Sequence, residues 1–126
     1  MTIKTNAAPG AVGPYVQGVR AGRLLFVSGQ VALDPATGVL VEGGIEDQTR
    51  RVMDNLAAIL EAGGSGLERV VKATVYLTDL GSFEPMNRVY ASFFPGEKPA
   101  RVCVEGSPPP RNSLVEIDAI APVDED

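Results

Sequence analysis

The sequence predicts an α+β fold in which two helices cover one face of a mixed sheet, in the order β-β-α-β-α-β-β. Strand-like alternation or β-branched runs recur at residues 16–21, 24–31, 70–77, 99–105 and 114–121. Two intervening stretches repeat their apolar residues at helical spacing instead. Two helices can cover only one side of such a sheet, so the other side must meet solvent or another chain.

The elements follow in order. Asn6-Ala7-Ala8-Pro9-Gly10 is irregular, and Gly13-Pro14 breaks the backbone again. Residues 16–21 and 24–31 read as a hairpin around Gly22-Arg23. Asp34-Pro35-Ala36-Thr37-Gly38 is a turn signature, with proline presetting φ and glycine free to take positive φ. Between 45 and 62, Ile45, Thr49, Val52, Leu56, Ile59 and Leu60 form a stripe, while Asp47, Arg50, Arg51, Asp54 and Glu61 fall largely off it. Gly63 and Gly64 are stop signals. Residues 70–77 form a strand closed by Asp79-Leu80-Gly81. Ser82 can cap a second helix, with Pro85 tolerated in its first turn, and Met86, Val89, Tyr90, Phe93 and Phe94 make its apolar face. Pro95-Gly96 ends it.

The last two strands hold the chemistry. In the first, Val102 and Val104 point one way and Arg101, Cys103 and Glu105 the other. In the second, Val115, Ile117 and Ala119 oppose Glu116 and Asp118. If both valine faces cover one core, Arg101, Cys103 and Glu116 share the uncovered face with Thr74 and Tyr76. A guanidinium can hold a carboxylate by two parallel hydrogen bonds, and a nearby glutamate can handle a water. Asp118, on the same face as Glu116, competes for that role. A tight hairpin would set Cys103 opposite Glu116. Residues 106–113, with Pro108, Pro109 and Pro110, exceed a tight turn, and the last strand can instead skip over a neighbour. The half-apolar uncovered face predicts a homo-oligomer.

Composition bounds the rest. The 126 residues fit one domain spanning 1–126, with 122–126 expected as a flexible acidic tail. Apolar and charged contents of 44% and 21% are those of a globular protein, and no apolar run nears the ~18 residues of a membrane span. The opening residues lack a hydrophobic signal segment, so a cytoplasmic address is expected. Cys103 is the sole cysteine, which excludes an intrachain disulfide. The absence of histidine removes Ser-His and Cys-His nucleophile pairs and the commonest transition-metal ligand. A net charge of −5 argues against a nucleic-acid surface and requires a local arginine to capture any anion. Gly63-Gly64-Ser65-Gly66 is no phosphate loop, because no Lys-Ser/Thr follows.

Three further landmarks, Gly13-Pro14-Tyr15-Val16-Gln17-Gly18, Ser28-Gly29-Gln30 and Asn87 within Met86-Asn87-Arg88-Val89-Tyr90, join the two strand motifs. Together, from about Lys4 to Ala121, they closely resemble the RidA (YjgF-type) family of reactive-intermediate deaminases. The resemblance implies a chorismate-mutase-like subunit, a homotrimer with sheets facing a central axis, and clefts between neighbouring chains. It implies that the last strand inserts beside residues 70–77. The implied reaction is hydrolysis of 2-imino acids, formed from enamines, to 2-oxo acids and ammonia, without metal or organic cofactor. By motif position, Arg101 would grip the substrate carboxylate, Cys103 would assist through its backbone amide, and Glu116 would position the water. Tyr15, Ser28, Gly29 and Asn87 would line the pocket.

Plainer roles stand beside these: an ion pair for Arg101, a solvated acid at Glu116, a boundary contact at Tyr15, a brace at Asn87, and tight backbone at Ser28 and Gly29. The short link at 95–98 and the proline-rich 106–110 depart from the family pattern and bear on substrate size. A dedicated enzyme for a larger enamine, or a non-enzymatic trimer binding 2-oxo acids, are the competing readings.

Overall fold

A computed structural model describes residues 1–124 of the chain. Its sheet has six strands: β1 (Thr2–Ile3), β2 (Gly18–Ala21), β3 (Leu24–Gln30), β4 (Lys72–Leu77), β5 (Ala100–Glu105) and β6 (Val115–Pro122). Two helices, α1 (Ile45–Ala62) and α2 (Phe83–Ser92), pack on one face. The two-residue β1 is an addition to the expected five strands. It is too short for an alternation signal and pairs antiparallel with β2.

Strand order is β1-β2-β3-β6-β4-β5. The last strand inserts between β3 and β4, antiparallel to both, and β5 lies parallel to β4 at the sheet edge. The open choice of topology is thereby settled against the hairpin. Pro109 is buried, and the following turn holds Arg111 and Asn112 at φ 63° and 60°, a left-handed reversal that carries the chain over β4.

The core is the cluster expected from the stripes. Val52, Leu56, Ile59 and Leu60 of α1 meet Leu25 and Val27 of β3 and Val115, Ile117 and Ala119 of β6. Each Val, Leu or Ile side chain among them, withdrawn from water, contributes about 1.5–3 kcal/mol. Helix α1 starts at Gly44 without a side-chain cap, its first turn carrying Glu46 and Asp47 against the positive end of the helix dipole. It stops at Gly63-Gly64, where Gly64 takes φ +89°, costly for any residue with a Cβ. Buried Asn55 donates from Nδ2 to the Val31 and Leu33 carbonyls at 3.1 and 3.0 Å, tying α1 to the segment after β3. At α2, Ser82 sits at the cap position but its side chain makes no capping bond. The Asp79 side chain instead accepts from the Gly81 amide at 2.7 Å, bracing the short turn Leu80–Ser82.

One expectation about faces is overturned. Register pairs Arg101 with Ala73 and Cys103 with Val75, both buried beneath the helices, while Val102 pairs with Thr74 and Val104 with Tyr76. Arg101 and Cys103 therefore lie on the helix-covered face, and the β5 valines lie on the open face with Glu116 and Asp118. The cause is that the open face is itself apolar: Val102 is 45% and Phe26 42% exposed there. An alternating strand shows that one side is greasy, but not which greasy surface it joins.

The chain end also differs from the flexible tail expected for 122–126. Pro122 belongs to β6, Val123 is buried, and Asp124 pairs with Arg69 at 3.0 Å. Glu125 and Asp126 lie outside the described residues. Among the described residues no helix is long and apolar enough to cross a membrane.

Candidate active site

The site residues named from sequence fall into two groups on opposite faces of the sheet. The first lies where the helix-facing side of β5 meets α2. Arg101 Nη1 donates to Asn87 Oδ1 at 2.6 Å. The guanidinium carbon stands 4.9 Å from the Tyr90 ring centroid and 5.6 Å from that of Phe83. Phe83, Asn87 and Tyr90 follow one another at helical spacing and so share one face of α2. Among the described residues no carboxylate lies within ion-pair distance of Arg101. Its Nη1 bond to Asn87 leaves other guanidinium N–H groups for a ligand.

Glu105, at the far end of β5, accepts from the Leu80 amide at 2.7 Å. That bond anchors the turn leading into Phe83, fixing the start of α2 against the strand that carries Arg101. Burial pushes the Cys103 thiol up, and the Arg101 charge only partly offsets this. The thiol is thus kept from thiolate character.

The second group lies on the open face around β3 and β6. Between Val27 and Gln30, β3 spends three steps against two on β6, from Ala119 to Ile117, which is a bulge. Gly29 sits in it, beneath Glu116: a Cβ added there would fall 2.0 Å from Glu116 Oε2. Ser28 is held at both ends, its amide donating to the Gln17 carbonyl at 2.9 Å and its hydroxyl to the Val16 carbonyl at 2.5 Å. Buried Gln17 fastens the opening loop by accepting from the Thr5 amide at 2.7 Å and donating to the Pro9 carbonyl at 2.8 Å. That loop presents Tyr15, 44% exposed, whose hydroxyl accepts from the Val12 amide at 3.2 Å. Behind the segment entering β6, Gln48 of α1 accepts from the Leu114 amide at 2.7 Å.

Val12, Tyr15, Ser28, Gly29, Pro110 and Glu116 line an open cavity of about 290 Å³. Burial, and secondarily the neighbouring Asp118, raises the Glu116 carboxyl above its ordinary value. Asp118 is partly engaged, accepting from the Thr74 amide at 3.2 Å. A larger cavity of about 700 Å³ lies beneath the opening segment, lined by Lys4, Thr5, Asn6, Tyr15 and Gln17. It contains neither Arg101 nor Glu116 and is set aside as a reaction site.

The structure therefore brings together Asn87, Arg101 and Cys103 in one place, and Tyr15, Ser28, Gly29 and Glu116 in another. Phe83, Tyr90 and Pro110 were not anticipated as site residues. Tyr90 reads from sequence as core, and only its spacing from Asn87 and Phe83 marks it otherwise. Among the described residues no cluster of three Cys, Asp or Glu side chains could hold a metal.

A family model described as endoribonuclease L-PSP matches residues 5–123. A RutC family protein of Pyrococcus horikoshii is 53% identical over 119 residues, covering 94% of each chain. The 2-iminobutanoate/2-iminopropanoate deaminase of Mus musculus is 44% identical, over 94% of this chain and 88% of its own. The crystal structure of RidA from the Antarctic bacterium Psychrobacter sp. superposes with a TM-score of 0.94 at 41% identity, covering 98% of this chain and 99% of that one.

Proposed function

The chain belongs to the endoribonuclease L-PSP (YjgF/RidA) family, and from that membership we propose that it hydrolyses small 2-imino acids to 2-oxo acids and ammonia. The observation that carries the reading is Arg101: a half-buried guanidinium with aromatic rings behind it and no carboxylate partner among the described residues. Such a group suits a planar organic anion, because the fork matches a carboxylate and stays ionised.

A protonated imine is already electrophilic, so the reaction asks little beyond positioning. Arg101 holds the carboxylate and the Cys103 backbone amide adds a donor. Glu116 orients a water toward the imine carbon and takes one of its protons as the carbon–oxygen bond forms. The same proton then passes to the nitrogen, which departs as ammonia when the carbon–nitrogen bond breaks, while the freed Glu116 carboxylate takes the remaining hydroxyl proton as the carbonyl forms. A carboxylate whose pKa is raised takes up a proton more readily than an ordinary one, which fits the first half of that task.

Arg101 and Glu116 of one chain lie on opposite faces of a sheet, with β4 between their strands. No three- or four-carbon substrate touches both. On this reading the complete cleft lies between copies, with Arg101 from one protomer and Glu116 from its neighbour. Phe26, Tyr76, Val102 and Val104 supply the apolar surface that buries such an interface, in a homotrimer. A binding-only role would leave the shaped Glu116 pocket unused. The nuclease wording of the family finds no basic surface here, since the net charge is −5 and histidine is absent.

The test couples a serine or threonine dehydratase to the purified protein and follows oxo-acid formation. Wild type should accelerate product release and Arg101→Ala should not. Equal rates for the two proteins would refute the clamp.

A further inference from the structure

We propose that Tyr90, assisted by Phe83, is a positioning residue that orients the Arg101 fork before substrate arrives. The proposal rests on the reading of Arg101 as the carboxylate clamp. An unrestrained arginine gives up several rotatable bonds when it binds, and that loss weakens capture. Here the loss is met in advance. The guanidinium carbon lies 4.9 and 5.6 Å from the Tyr90 and Phe83 centroids, both within the roughly 6 Å range of cation–π attraction. The Asn87 bond at 2.6 Å adds a directional restraint. All three partners come from one face of α2, so a single rigid element sets the guanidinium position.

Tyr90 is itself well anchored. Its ring meets Phe94 at 4.8 Å between centroids, tilted by 49°, and is almost fully buried. Its hydroxyl, in contrast, has no hydrogen-bond partner among the described residues, and an unmet buried hydroxyl does not stabilise a fold. The ring rather than the hydroxyl carries the positioning role. Phenylalanine should therefore replace Tyr90, whereas an aliphatic side chain should not.

The experiment measures steady-state kinetics on a freshly generated 2-imino acid, together with inhibition by the matching 2-oxo acid and thermal unfolding. Tyr90→Leu should raise KM about 5- to 30-fold, the worth of a partly desolvated cation–π contact, with kcat within about twofold because the contact is the same in ground and transition states. The inhibition constant should rise in step. Tyr90→Phe should keep wild-type KM, with unfolding temperature unchanged or raised. Phe83→Leu, at a surface position, should raise KM by a smaller factor without moving the unfolding temperature.

Unchanged KM in both leucine variants overturns the proposal, and so does a rise in Tyr90→Phe equal to that in Tyr90→Leu. Arg101→Ala in the same series separates the two readings. If it leaves KM and the inhibition constant untouched, the clamp itself fails. If it abolishes binding while the aromatic variants do nothing, only the positioning role fails.

Discussion

Arg101 is fixed by side chains that reach it from a helix, whereas Glu116 is fixed by the backbone lying under it. The arginine has Asn87 as a hydrogen-bond partner and two rings beside it. The glutamate has a bulge, a glycine with no room for a Cβ, and a neighbouring acid. On the proposed roles, the difference follows from the two tasks. A clamp must present donors in one plane and stay charged, which contacts to a delocalised cation accomplish. A proton carrier must change charge easily, and ion pairing would trap it in one state. Glu116 is accordingly placed where burial and Asp118 both disfavour its ionised form.

Removing the proposed proton carrier sharpens this contrast most. Glu116→Gln should lower kcat by about 10²–10⁴-fold with KM nearly unchanged, the reverse of the aromatic variants. It should also alter stability with a definite sign. A carboxyl raised in the folded state favours folding below its unfolded pKa, and that contribution is lost as pH rises through the folded value. Thermal unfolding should therefore show Glu116→Gln gaining on wild type at pH 7–8 relative to their difference near pH 4. A constant difference across that range would contradict the burial argument.

A smaller effect is expected beneath the glutamate. In Gly29→Ala the new Cβ would arrive 2.0 Å from Oε2, and the carboxylate would have to swing away. Misplacing a reacting group by about an ångström costs up to ~10²-fold, so kcat should fall by roughly 10- to 100-fold. Inhibition by 2-oxo acid, which reports the clamp, should hardly change. Smallest of all, Asp118→Asn removes the secondary cause of the raised Glu116 pKa. The acid limb of the kcat/KM profile should move to lower pH while its plateau stays put. A shift to higher pH would mean that Asp118 acts through something other than its charge.

The sequence made the elements legible and misplaced one strand's faces. Helix α1 runs Ile45–Ala62 as the stripe and the Gly63-Gly64 stop require, and β6 alternates as Val115, Ile117 and Ala119 predict. The β5 face could not be read the same way. Val102 and Val104 mark an apolar side, but a chain whose sheet is apolar on both faces offers two surfaces for it to join. Register with β4 decides between them, and that register is set by the crossover through α2 from Leu77 to Ala100, which pattern cannot resolve. The same ambiguity hid Tyr90, which reads as core because one end of it is core. The Gly29–Glu116 contact was invisible because a bulge adds one residue without any compositional mark beyond the glycine itself.

The division of the cleft between copies is most directly tested by mixing two inactive proteins. Arg101→Ala and Glu116→Gln are purified separately, confirmed as oligomers, dissociated and reassembled together in equal amounts. If each cleft takes its arginine from one chain and its glutamate from the next, random assembly leaves about a quarter of the clefts intact, and deaminase activity should return to about that fraction of wild type. Mixed oligomers that form but remain inactive would show that both groups must come from a single chain, contradicting the account.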